Sequence, residues 1–86
     1  MGIIKKTKLA QMTQDADRAR KEGRKVLVMK LNYPWSDGGY SGEIVDWSLM
    51  IEAIESRGWV LDVFTGMNDR NRRADALCLF RPHPNR

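Results

Sequence analysis

The chain has 86 residues, 42% hydrophobic and 30% charged, with a net charge of +4 and a pI near 9.6. That is room for one core, in a sequence too apolar to stay disordered. One cysteine and one histidine rule out an internal disulfide and a closed zinc site, and no apolar run approaches the ~20 residues of a membrane-spanning helix.

Residues 1–6, Met1-Gly2-Ile3-Ile4-Lys5-Lys6, read as a basic arm. They lack the charged-then-apolar order of a signal peptide, and Lys6 stands where a myristoylation pattern needs Ser or Thr. With a free cysteine and no export signal, the expected location is cytoplasmic. From Thr7 a helix is predicted: Leu9, Met12, Ala16 and Ala19 recur at spacings of three and four and form one narrow stripe. The stripe is mostly small residues, so the helix can lie on another surface but cannot make a core alone. Gly23 is its stop, as a left-handed C-terminal residue.

Residues 25–32 are predicted as the first strand, with Val26 and Val28 on one face and Leu27, Met29 and Leu31 on the other. A strand apolar on both faces is covered on both sides or meets a partner. Residues 33–42 have turn composition but carry three aromatics, Tyr33, Trp35 and Tyr40. Either these fold back over one end of the sheet, or they form a recognition surface of the kind aromatic anchors favour. The second helix is predicted to start at an Asp46 N-cap, with Val45 and Met50 as a hydrophobic staple. Trp47, Met50, Ile51 and Ile54 form its core stripe, and Gly58 ends it.

Trp59 to Thr65 alternates as the second strand, which puts Trp59, Leu61, Val63 and Thr65 on one face and Val60, Asp62 and Phe64 on the other. Residues 66–73 are a polar connection rich in arginine. Ala74 to Arg81 is the third strand, with Ala76, Cys78 and Phe80 opposite Leu77 and Leu79, and Pro82 closes it. Strands two and three should form an antiparallel hairpin, and the passage from strand one through the helix to strand two should be a right-handed crossover. The third strand is the most evenly apolar, so it belongs in the middle. The expected fold is therefore α+β, in the order α-β-α-β-β, with a three-stranded, mostly antiparallel sheet of order 2-3-1 and both helices on one face. Residues 7–82 make the single domain and 83–86 a tail.

No residue cluster reads as catalytic. His83 lies between two prolines near the C-terminus, where little can position it as a general base. Cys78 falls mid-strand among apolar residues, the setting of a structural thiol. Asp62 and Asp75 lie on the two arms of the hairpin and could form a carboxylate pair, but charges that discourage sheet-edge aggregation are the plainer reading. Gly38-Gly39-Tyr40-Ser41-Gly42 has neither the P-loop ending nor the dinucleotide spacing. No metal or cofactor is expected. Basic residues gather in three groups: Lys5, Lys6 and Lys8; Arg18, Arg20, Lys21, Arg24 and Lys25; and Arg70, Arg72 and Arg73. Two groups on one face would bind phosphate backbones with a steep salt dependence, yet no nucleic-acid-binding signature accompanies them.

From the second helix onward, Ile51-Glu52-Ala53-Ile54-Glu55-Ser56-Arg57-Gly58-Trp59-Val60-Leu61 and the ending Leu79-Phe80-Arg81-Pro82 resemble a small β-α-β-β domain family of unknown function, found in bacteria and their phages. With the first strand included, the likeness covers about residues 25–82. It implies a strand, a helix ending in a Gly-Trp step and a closing hairpin, and it brings no activity with it. The first helix and the aromatic loop depart from its usual compact form.

These readings converge on a non-catalytic protein-interaction or assembly protein, a homo-oligomer or the partner of another protein, and an accessory protein of a bacterium, phage or mobile element. With both helices on one face of the sheet, the apolar residues of the other face are left exposed, and a patch of that kind is expected to meet a partner. The candidate interface residues are Val26, Val28, Val60 and Phe64 with Tyr33, Trp35 and Tyr40. The alternative is a nucleic-acid-binding accessory protein using Lys5, Lys6, Lys8, Arg70, Arg72 and Arg73.

Overall fold

The computed structural model describes residues 6–32, 42–68 and 70–84. Helix α1 (Lys6–Lys21) is followed by strand β1 (Leu27–Leu31), helix α2 (Val45–Glu55) and strands β2 (Trp59–Asn68) and β3 (Ala74–Pro82). The sheet order is β1-β3-β2, with β3 antiparallel to both neighbours. This is the expected α+β architecture. The most evenly apolar strand takes the centre because the central strand alone has neighbours on both sides.

One core lies between the helices and one face of the sheet. Met12, Ala16 and Ala19 of α1 and Trp47, Met50 and Ile54 of α2 are buried with Leu27, Leu31, Trp59, Ala76, Cys78 and Phe80. The small residues of α1 let its backbone come close. The Trp59 indole N–H donates to the Ala16 carbonyl across 3.1 Å in a buried hydrogen bond, and the Arg20 guanidinium stands 5.9 Å from the Trp59 ring centroid, a cation–π arrangement. Gly23 has φ +71°. There the Gly23 N–H donates to the Arg20 carbonyl at 3.0 Å and the Arg24 N–H to the Ala19 carbonyl at 3.1 Å, a complete Schellman stop.

The start of α2 differs from the sequence expectation. Its N-cap is Ile44, with no side-chain cap hydrogen bond, and Asp46 lies inside the first turn. Tertiary contacts override the capping preference. Ile44 packs on the core, and the buried Trp47 donates its indole N–H to the Asn32 carbonyl at 2.8 Å, fixing the helix entry against the end of β1. The Val45–Met50 staple does not form in that frame. Asp46 keeps a favourable place near the positive end of the helix dipole, although its Oδ1 is buried without a hydrogen-bond partner.

Strand β2 also runs further than predicted. Gly66, Met67 and Asn68, expected in the connection, pair with Ala76, Asp75 and Ala74. Ladder pairing is a backbone property, and it tolerates a glycine and exposed side chains near a hairpin end. At the other end, residue 83 is held more firmly than a tail: the His83 N–H donates to the Gly58 carbonyl at 2.8 Å, and the residue is half-buried.

Candidate protein-interaction surface

Register decides which side chains share a face, and the ladder between β2 and β3 carries one irregularity. Leu61 pairs with Phe80, but the next residue in register, opposite Leu79, is Val63, so Asp62 is the extra residue of a β-bulge. The side-chain alternation changes parity there. Trp59, Leu61 and Phe64 point to the helix side, whereas Val60, Val63 and Thr65 point to the other. The simple alternation expected from the sequence is corrected at this point. Val63 joins Val60, and Phe64 leaves it.

On the helix-free face, Val28, Leu79 and Val63 form one row across all three strands, and Lys30, Leu77 and Thr65 form the next. Val28 is 55% exposed, Val63 47%, and Val60 and Leu77 38% each, so neither helix covers these side chains. Val26 at its margin and Leu79 at its centre are half-buried. The row contains a shallow groove of about 220 Å³ lined by Val28, Val63, Thr65, Leu77, Cys78 and Leu79. Drug-sized ligands use ~300–1,000 Å³ and bury most of their surface; this groove suits protruding aliphatic side chains better.

Phe64 is as exposed as Val63, at 47%, but it lies on the helix side with its ring centroid 5.9 Å from that of Trp47. Of the aromatic candidates, Tyr33, Trp35 and Tyr40 fall outside the described residues.

Charge frames this face at both ends. The Lys30 Nζ is 3.7 Å from the Asp75 carboxylate, and the Arg81 Nε donates to Asp62 at 3.0 Å. Asp62 and Asp75 therefore each meet a cation and do not form a carboxylate pair with each other. Asp75 is buried and the other three are exposed. Cys78 is buried on the opposite, helix side, and desolvation pushes its thiol pKa up, so the thiolate that nucleophilic chemistry requires is disfavoured. Among the described residues, no group of three His, Cys, Asp or Glu side chains could hold a metal ion, and no helix is long and apolar enough to cross a membrane.

The basic groups are distributed as follows. Arg70 and Arg72 are exposed in the β2–β3 connection and Arg73 is half-buried there; Lys8 is exposed on α1; Lys5 and the side chain of Lys6 lie outside the described residues. Around the end of α1, Arg18, Arg24 and the nearby Arg57 have Asp15, Glu22 and Asp17 as ion-pair partners. The first helix is thus a mixed-charge surface.

The residues that sequence reading missed are Val63, Leu77 and Leu79. One signal pointed to Val63. Strict alternation would set the charged Asp62 beside Leu79 in the middle of an otherwise apolar face, and an extra residue at Asp62 resolves that conflict. Compared with protein-family models, curated proteins and solved structures, the chain finds no match, so the surface is argued from its own geometry.

Proposed function

We propose that this protein is a non-catalytic assembly protein that works as a homo-oligomer through the helix-free face of its sheet, in the manner of an accessory protein. The observation that carries this reading is the row Val28–Leu79–Val63, which crosses all three strands, with Val60 and Leu77 beside it. Exposed single apolar residues are ordinary on a protein surface, but a contiguous sheet face of valine and leucine marks an interaction site. A domain of this size also gains stability by covering such a face.

Light scattering behind size exclusion tests the reading over a range of loading concentrations. The expected result is a mass above the 9.9 kDa of one chain that rises with concentration. A mass fixed at one chain throughout would overturn it.

A further inference from the structure

We infer that the helix-free face is covered by the same face of a second copy, in a two-fold, sheet-on-sheet dimer whose dry centre is the row Val28–Leu79–Val63. The inference rests on the homo-oligomer reading and adds the surface, the partner and the symmetry.

The bulge is the first argument. Without an extra residue at position 62, the second-strand alternation would put Asp62 beside Leu79, in the row that crosses the face. The bulge places Val63 opposite Leu79 instead, and the Asp62 carboxylate reaches Arg81. Bulges re-aim side chains at functional positions. This one puts a valine in place of a charge at the β2 end of the row that crosses the sheet. An apolar centre inside a polar rim is the anatomy of a protein interface.

Charge selects the partner. The whole chain carries +4, so two copies meeting through an average part of their surfaces repel. This face is different. Among the described strand residues of this face, the charged ones are Lys30 and Arg81, balanced by Asp75 and Asp62 and already engaged with them at 3.7 and 3.0 Å. A strongly acidic or basic partner would find no complementary field there, whereas a second copy finds an apolar centre and a neutral rim. An isologous two-fold contact requires this kind of self-complementarity.

Area sets the strength. The strands lie ~4.8 Å apart; β2 and β3 pair over ~25 Å but β1 at five positions only, which gives roughly 300 Å² in plan and about 450 Å² of accessible surface per copy. A dimer would bury about 900 Å², at the low end of the range of weak, transient interfaces. An interface of that size is expected to form reversibly. Face-to-face sheets pack ~10 Å apart with strands within ~30° of one another, which leaves the Val28, Val63 and Leu77 side chains interdigitated around the groove.

Sedimentation equilibrium on the full chain and on variants tests this. Val63→Glu puts an unpaired charge at the centre twice, once from each copy, and should raise Kd by roughly 100-fold or more. Leu77→Lys, one row away, should do the same. Leu49→Glu, at an equally exposed position on α2 (38%), should leave Kd unchanged, and circular dichroism checks that each variant folds. If the wild type associates and both face variants still associate equally well, the face assignment is overturned while the assembly reading stands. If the wild type stays monomeric at every concentration, both fail together.

Discussion

Trp59 does more than fill space, because its ring and its N–H act on different neighbours. The ring is buried to 1% exposure in the core, while the N–H ties that core to α1 through the Ala16 carbonyl. Trp59→Phe removes the bond and leaves a small gap; the expected loss is about 1–2 kcal/mol of unfolding free energy, read from urea titration. Gly23 has open space around the position of an added Cβ, so a substitution there meets backbone strain alone. Gly23→Ala should cost about 1 kcal/mol and Gly23→Asn less, because asparagine tolerates the left-handed region better. Cys78 gives a pH prediction. Its folded-state pKa is raised by burial, so the folded protein resists losing that proton while the unfolded chain does not. The stability this contributes is fully present below the ordinary thiol pKa and falls as pH rises through the ordinary and then the raised value. A thiol reagent at pH 8 should label Cys78 slowly in the native protein and quickly in denaturant.

Among the elements, those with local punctuation are legible in the sequence. Gly23 and Gly58 end the helices at φ +71° and +93°, and the alternating runs around Val28 and Cys78 define β1 and β3. Two features were not legible, for related reasons. Local capping preference puts the N-cap of α2 at Asp46, whereas burial of Trp47 and its bond to Asn32 pull the helix two residues earlier, to an Ile44 cap, a long-range effect. The bulge depends on register against another strand, and period-two reasoning within one strand cannot see that. The candidate surface was legible as an idea, an uncovered sheet face containing Val28 and Val60, but Val63 stood on the wrong side and Phe64 took its place. The same register argument yields a prediction. Deleting Asp62 closes the bulge and keeps Val63 opposite Leu79 and Phe64 opposite Cys78, so the variant should fold with those cross-strand proton contacts intact in NMR spectra. Core positions in α2 are far less forgiving. Ile54 is fully buried, and Ile54→Ala should cost about 2–5 kcal/mol, a large share of the roughly 5–15 kcal/mol a domain has.

At the scale of the whole molecule, the described residues form two layers with one side open. Both helices and the core lie on one face of the sheet, and the other face presents valines and leucines between two ion pairs. A contact with a dry centre and a balanced rim depends little on screening, so Kd should change by less than about threefold between low and moderate salt, measured by sedimentation. Binding carried by the arginines of the hairpin connection would instead weaken steeply with salt. The central claim, that two copies meet through this face, is tested most directly by a soluble paramagnetic probe in methyl NMR. The methyl groups of Val28, Val63, Leu77 and Leu79 should be shielded from the probe in concentrated solution and become accessible on dilution, while Leu49 on α2 is accessible throughout. Equal broadening of all five at every concentration would contradict it.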